Sequence, residues 1–405
     1  MKLTSEPTPS PINSLRPKER ATIVSLSAAH FFNDGYSNFL GPLLPLLITK
    51  LSLTIAQAGW LGAVSTISTS FTQPFYGYLS ERYRKVSFAV FGPLITAVFM
   101  SCIGLAPNFL VLATLLAFAG IGVASFHPQS AALVSSVSSK HRGLGMSIFV
   151  SSGTFGFAVS PVFVTYAVTF LGLHRSYLIM IPGIIAVTIL YFFIPKVAGS
   201  QAVPLKMSLR DSLGPVWRPL LILYLLVVLR SAVQMSFLNF LPLYFTQQGN
   251  DLIFGGKMAA LFMFFGALGG LVGGPVSDRV GGRKIIIFSM FLATPTLAAF
   301  LLSEGSIAAF WLASGGFFLL CTLPVNVVMA QQLLPQRASM ASALMMGFAW
   351  GLAGMLVPVV GSLADHMGLG KALLAVITLP ILGFVLSFFL PQEPASSADV
   401  GHLSG

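Results

Sequence analysis

Charge is scarce in this chain. Lys, Arg, Asp and Glu together supply only 8% of its 405 residues, while 55% are hydrophobic. Soluble globular domains are about one quarter charged, so that class is excluded. Acids are scarcer than bases: eleven Asp and Glu stand against 22 Lys and Arg, a formal net charge of +11. Cysteine is almost missing. Cys102 and Cys321 lie in apolar runs with no CxxC and no metal-ligand spacing, so no disulfide framework and no zinc site is indicated. They read as packing residues. The polar, proline-containing N-terminus through Arg20 has neither the short apolar core nor the small-residue cleavage site of a secretory signal, and reads as a cytoplasmic tail.

Long apolar runs fill the rest. Stretches of about 18 residues or more fall at 21–48, 55–79, 86–106, 108–135, 143–171 and 176–195, then at 219–246, 256–277, 285–303, 307–332, 338–364 and 371–391. The chain is therefore expected to be an all-α polytopic membrane protein with twelve transmembrane helices. Seventeen of the 22 Lys and Arg residues occupy alternate connections, four (Lys50, Arg175, Lys257 and Lys371) occupy the others, and Arg230 lies within a span. That asymmetry places both termini in the cytoplasm. It also argues against nucleic-acid binding, which needs a continuous basic face. The partners expected are membrane lipid, a small-molecule substrate and protons, and nothing calls for an obligate oligomer or a cofactor.

The widest break, 196–218, carries Lys196, Lys206, Arg210 and Arg218 and reads as a cytoplasmic linker. It separates an N-terminal six-helix bundle, 21–195, from a C-terminal one, 219–391, flanked by cytoplasmic tails at 1–20 and 392–405. The halves repeat each other. Gly77-Tyr-Leu-Ser-Glu81-Arg82 recurs 197 positions later as Gly274-Pro-Val-Ser-Asp278-Arg279, and Pro161 and Pro358 keep the same offset. Parallel repeats of six spans point to a transporter whose halves are related by a pseudo-twofold axis.

One acid breaks the pattern of exclusion from the spans. Asp34 lies deep in the first, and an intramembrane carboxylate is a functional candidate by default. His30, Asp34 and Asn38 are spaced four apart, so on one helix they share a face, with Asn33 beside them. Asp34 shifted by the repeat offset falls on Ser231, next to Arg230. The one deep acid and the one deep base thus take equivalent places in the first helix of each half. Span 4 carries Phe126-His127-Pro128-Gln129-Ser130, where the proline frees a carbonyl that Ser130 or water can satisfy. His127 is open to three readings: proton relay, anion contact or helix-to-helix hydrogen bonder. Pro324 and Asn326 take nearly equivalent places in span 10. Span 5 carries Gly153-Thr-Phe-Gly156-Phe-Ala-Val-Ser160-Pro161, whose small residues favour close helix packing.

The doubled element of Gly77, Glu81 and Arg82 and of Gly274, Asp278 and Arg279, read as a turn whose acid fastens a gate, resembles the loop signature of the major facilitator superfamily. The first copy has Glu81 where Asp is commoner and no Gly between Tyr83 and Arg84, and the second has an extra Gly at Gly281-Gly282. The span-5 run resembles that superfamily's antiporter motif, with Ser160 where Gly is usual. A closer resemblance is carried by His30-Phe-Phe-Asn33-Asp34, Phe126-His127-Pro128-Gln129-Ser130, Ser147-Ile-Phe, Gly273-Gly-Pro-Val-Ser-Asp278, Ala330-Gln-Gln-Leu-Leu-Pro335, Gly347-Phe-Ala-Trp350-Gly and Ala364-Asp365-His366. Together these runs resemble the fosmidomycin-resistance family of bacterial efflux proteins from about residue 21 to 391. The resemblance implies a drug:proton antiporter of the bacterial inner membrane. Gln129 and Gln332 stand where that family has Glu, which concentrates the proton role on Asp34.

The expected mechanism is alternating access by two rocking halves. Asp34 with His30 carries the proton, desolvation favouring its neutral form. Arg230 needs a counter-ion, expected to be Asp34 at rest and an anionic phosphonate or carboxylate in exchange. Asn33, Asn38, His127, Gln129, Gln234 and Asn326 supply polar substrate contacts, and Phe126 and Trp350 an apolar wall. An importer of a small organic anion would use the same parts. A metal transporter built on His30, Asp34 and His127 is opposed by the nearby Arg230. An intramembrane enzyme is opposed by the want of a nucleophile beside His30 and Asp34. A receptor without transport would not need charge at mid-membrane.

Overall fold

The computed structural model describes residues 17–83, 87–137, 142–193, 213–335, 340–341 and 344–391, and among these there is no β-strand. The first half opens with α1 (Pro17–Ser37) and α2 (Leu40–Leu51), which together make one crossing. It continues through α3 (Ile55–Tyr83), α4 (Ser87–Ser101) with a 3-10 turn, α5 (Phe109–Val137), α6 (Arg142–Leu171), and a second 3-10 stretch leading into α7 (Met180–Phe193). The second half comprises α8 (Trp217–Gln247), α9 (Leu252–Val280) and α10 (Gly282–Leu301). A split crossing follows, α11 (Gly305–Leu320) and α12 (Leu323–Leu333). Next come a π-helical turn at Leu344–Phe348 with α13 (Ala349–Gly354) and α14 (Val357–Met367), then α15 (Leu369–Val376) and α16 (Leu379–Ser387). These are the twelve expected crossings. Among the described residues, nine helical segments are long and apolar enough to span a membrane by length and composition alone, and Val90–Leu105 is a shorter apolar one. The first crossing is not among them: it is split, and it carries His30, Asn33, Asp34 and Asn38.

Proline sets the splits. A proline lacks the N–H that would bond the carbonyl four residues earlier, and its ring crowds that carbonyl. Pro42, Pro324, Pro358 and Pro380 oppose Asn38, Leu320, Gly354 and Val376, where four crossings break or their first segments end. In consequence Asn38 sits in the break rather than on a continuous stripe, and its Nδ2 donates to the Phe157 carbonyl at 3.3 Å. Pro161, at the repeat offset from Pro358, lies inside the unbroken α6.

The expectation that the repeated Gly-x-x-x-acid-Arg element forms turns is not met. Helix α3 continues to Tyr83 and α9 to Val280, so both copies occupy last helical turns. In the second half the chain turns just beyond, at Gly281, whose φ of 92° favours glycine. The side chains of Gly77, Glu81, Arg82 and Asp278 lie outside the described residues, as do 196–212 of the linker and the tails 1–16 and 392–405. Arg279 is exposed.

The two halves meet where α2 packs on α8 and α9, α3 on α13 and α14, and α6 on α9. Close approach is enabled by glycine. A Cβ on Gly59 would come within 2.7 Å of Pro358 Cα, and one on Gly256 within 2.7 Å of Thr165 Oγ1. Large apolar side chains such as Phe170, Phe192, Ile307, Phe310 and Phe389 are exposed, as expected of a perimeter that faces lipid rather than water.

Candidate functional site

A cluster of buried polar side chains within the first bundle is built by α1, α5 and α6. His30 and Asp34, one turn apart on α1, are buried, and His30 Nε2 lies 3.0 Å from Asp34 Oδ2. His127 reaches in from α5, with Nε2 at 3.0 Å from Asp34 Oδ1 and 3.1 Å from His30 Nε2. Two imidazoles thus converge on one carboxylate. Three further contacts fix them. His30 Nδ1 lies 2.7 Å from the Phe149 carbonyl oxygen on α6, which only accepts, so Nδ1 carries hydrogen and donates. The His30 ring stacks on Phe149 at 4.2 Å between centroids. Asn33 Nδ2 donates to Asp34 Oδ1 at 3.0 Å, and Thr96 Oγ1 on α4 in turn donates to Asn33 Oδ1 at 3.0 Å.

This geometry counts protons. With Nδ1 protonated, His30 Nε2 bears a second hydrogen only as an imidazolium. A hydrogen bond across the 3.0 Å contact to Asp34 then needs one proton between the pair, written either as imidazolium–carboxylate or as imidazole–carboxylic acid. His127 Nε2 faces both the other carboxylate oxygen and His30 Nε2, so only one of the two facing imidazole nitrogens can point a hydrogen at the other. Removing the shared proton would leave a buried carboxylate facing a nitrogen lone pair, a costly arrangement away from water. Access is uneven. The His127 side chain is 25% exposed, whereas those of His30 and Asp34 are 4% and 6% exposed.

The span-5 glycines belong to this cluster. A Cβ on Gly153 would fall 2.5 Å from His30 Nε2 and 2.6 Å from Asp34 Oδ2, while one on Gly156 would strike the Phe31 carbonyl. The first glycine makes room for the cluster and the second lets α6 close on α1. Phe126 is buried against His30, with ring centroids 5.6 Å apart, and so packs the cluster. Gln129 is half-buried on α5. Ser130 Oγ is buried without a hydrogen-bond partner and so is not the acceptor's mate expected at Pro128.

The deep base lies in the other half. Arg230 on α8 is 1% exposed. Its Nη1 donates to Gln234 Oε1 and its Nη2 to Ser231 Oγ, each at 2.8 Å, while Nε has no partner. Among the described residues no ion pair joins it to Asp34. The expected resting pair is not formed, because each group has satisfied itself within its own bundle. Cys321 lies within electrostatic reach of Arg230, and α12, which begins just after Cys321, packs on α8. Thr322 Oγ1 and both amide atoms of Asn326 are buried there without partners. Trp350, on α13, is half-buried, its ring 6.4 Å from that of Phe157 across the two halves.

Sequence reasoning missed Thr96, Ser231, Thr322 and the contact of Gly153 with the cluster. Ser231 was in view as the repeat partner of Asp34, but its bond to Arg230 was not. Thr96 offered no signal, being one hydroxyl in an apolar run.

Similarity to known proteins agrees with this architecture. Residues 26–358 match the Major Facilitator Superfamily. The chain is 28% identical to the MFS-type transporter YfnC of Bacillus subtilis (strain 168) over 92% of its length and 93% of that protein. It is 27% identical to the fosmidomycin resistance protein of Escherichia coli (strain K12), covering 91% of this chain and 92% of the other. A solved bacterial homolog of the human lysosomal transporter Spinster superposes with a TM-score of 0.75 at 15% identity, over 94% of this chain and all of that one. The twelve crossings, the paired halves and these matches together show that the chain belongs to the Major Facilitator Superfamily, whose members are multi-pass membrane transporters and not enzymes.

Proposed function

We propose that this transporter is a proton-coupled antiporter that exports a small drug or organic anion, such as a phosphonate, by alternating access, from the inner membrane of a bacterium with both termini in the cytoplasm. The observation that carries the reading is the His30–Asp34–His127 cluster, two buried side chains and one partly exposed one within hydrogen-bond distance of one another, an arrangement suited to holding a proton. His127 is the group through which the proton exchanges, and Asp34 with His30 is where it resides. This moves His127 from the substrate set to the proton set. Gly153, in a run that resembles an antiporter motif, lies against the same cluster, which favours export. The relative that confers fosmidomycin resistance supports a phosphonate as the first substrate to try.

Arg230 binds the acidic group of the substrate. A buried guanidinium without a carboxylate partner favours an anion, and two hydrogen bonds to a phosphonate or carboxylate suit its planar fork. Gln234, Ser231 and Asn326 complete the polar lining. Because Asp34 and Arg230 do not touch, proton and anion exclude one another through the orientation of the halves and not by competing for one ion pair.

The test is substrate-driven proton movement in proteoliposomes, wild type against Asp34→Asn, with fosmidomycin, simple phosphonates and lipophilic drugs. Proton flux opposite to substrate, abolished by the substitution, is expected. Flux in the same direction would make the protein an importer, and substrate movement without proton flux would remove the proton role of the cluster.

A further inference from the structure

Helix α3 begins in an unusual way. The first N–H groups of a helix have no partner within it and must find one elsewhere. Thr54 and Gln57 form a capping box: the Gln57 N–H donates to Thr54 Oγ1 at 3.1 Å and the Thr54 N–H to Gln57 Oε1 at 2.9 Å. That leaves Ile55 and Ala56. Their N–H groups donate to Asp365 Oδ1 and Oδ2, each at 2.9 Å, and Asp365 belongs to α14 in the other half. The contact lies on the face opposite Pro17 and Ser387, where α2 ends and α3 begins. Two glycines bring the backbones together beneath it. A Cβ on Gly361, one turn before Asp365, would lie 2.5 Å from the Ile55 carbonyl oxygen, and Gly59 sits against Pro358. The equivalent helix of the second half needs no such help. Asp251, at the repeat position of Thr54, caps α9 from its own chain end by accepting from the Phe254 N–H at 2.6 Å.

We propose that Asp365 is a latch between the halves: its carboxylate, set on the positive end of the 29-residue α3, holds the transporter closed on the face opposite Pro17 and Ser387. A carboxylate at a helix N-terminus is favoured both by hydrogen bonding and by the helix dipole. Asp365 is exposed, so when the halves part, water takes over its bonds and those of Ile55 and Ala56. The latch is therefore reversible, with a cost small enough for a transport cycle. It is distinct from the repeated Gly-x-x-x-acid-Arg element, which lies at the opposite end of α3. Asp365 is a positioning residue and makes no contact with the proton cluster.

The test reads the gate directly, without substrate or a proton gradient, so its outcome is independent of the coupling proposal. In a Cys102→Ser, Cys321→Ala background, spin labels at Ser52→Cys and Met367→Cys report the distance between the halves, and labels at Ser52→Cys and Leu105→Cys report one within the first half. In the full chain, Asp365→Asn should raise the ratio of long to short inter-half distances about five- to tenfold, and Asp365→Glu should restore the short population. The distance within the first half should stay fixed. An unchanged distribution in Asp365→Asn would overturn the latch. So would equal opening by Asp365→Glu, or a shift of the internal distance, which would make Asp365 a support of the bundle.

Discussion

Gly153 offers the sharpest perturbation of the proton cluster, because an added methyl has nowhere to go. In Gly153→Ala the new Cβ would sit 2.5 Å from His30 Nε2 and 2.6 Å from Asp34 Oδ2, so these atoms must withdraw by about 0.8–0.9 Å to reach ordinary contact. His30 is poorly able to yield, since its Nδ1 is bonded to the Phe149 carbonyl at 2.7 Å and its ring is stacked on Phe149. Asp34 must turn, and turning lengthens at least one of its 3.0 Å bonds to the imidazoles beyond hydrogen-bond range. A charge-assisted bond of this kind contributes about 1.5–3 kcal/mol. With about 1.4 kcal/mol per factor of ten, the shared proton is held roughly ten- to a hundredfold less tightly. The assay is the pH dependence of substrate-driven proton exchange in proteoliposomes, whose profile should move to the acid side by about one to two pH units. Gly156→Ala is the control. Its Cβ strikes the Phe31 backbone, where no side-chain rotation can help, so it should lower thermal stability by preventing α1 and α6 from closing. A wild-type pH profile in Gly153→Ala would refute the reasoning. A loss of stability matching that of Gly156→Ala would also refute it, by showing that the glycine serves the helix contact and not the cluster.

Two further substitutions probe the second half. Arg230→Lys keeps the charge but loses the fork that reaches Gln234 and Ser231, so affinity for anionic substrates should fall about tenfold while neutral lipophilic ones bind as before; titration in detergent checks this, and unchanged affinity and selectivity would end the anion-clamp idea. Asn326→Leu removes two buried polar atoms that have no partner and should stabilise the protein by about 1–3 kcal/mol, seen as a later thermal transition, while the extra stabilisation by bound substrate disappears. A lower melting temperature would mean that the amide already has a structural partner.

Most of the fold was legible because lipid makes a simple demand: each crossing needs a long apolar run, and the runs became helical crossings whose ends, where they fall among the described residues, lie within a few residues of the expected limits. The breaks were written in the prolines, four residues downstream of each, but a proline does not decide alone, as the continuous α6 around Pro161 shows. Helix ends were less legible. The Gly-x-x-x-acid-Arg elements contain polar residues that suggest turns, yet they continue helices, since polar residue type alone does not end one. In the site, the neighbours His30 and Asp34 could be paired from spacing, since four residues on α1 share a face. His127 could be grouped with them only as one of three possible metal ligands, because 97 residues separate it from His30 and only the packing of α5 on α1 closes that distance. The Asp34–Arg230 pair was suggested by repeat symmetry. It failed because symmetry equates positions within bundles, while contact depends on what each side chain finds first: Arg230 found Gln234 one turn on and Ser231 next door.

That failure bears on how coupling works. Had the acid and the base formed one pair, a proton and an anion would compete for it locally, and the halves would merely follow. With Asp34 satisfied by two histidines in the first bundle and Arg230 by neutral side chains in the second, neither site senses the other through a shared bond. What the two bundles share is their interface, where α3 meets α13 and α14 and where the Asp365 carboxylate holds the helix start of the other half. Under the proposed antiport, exchange would be carried by a change in how the halves sit, biased by both sites and opposed by the proposed latch. Weakening the gate should alter the apparent affinities for proton and substrate together, whereas a change in either binding cluster should begin with its own ligand.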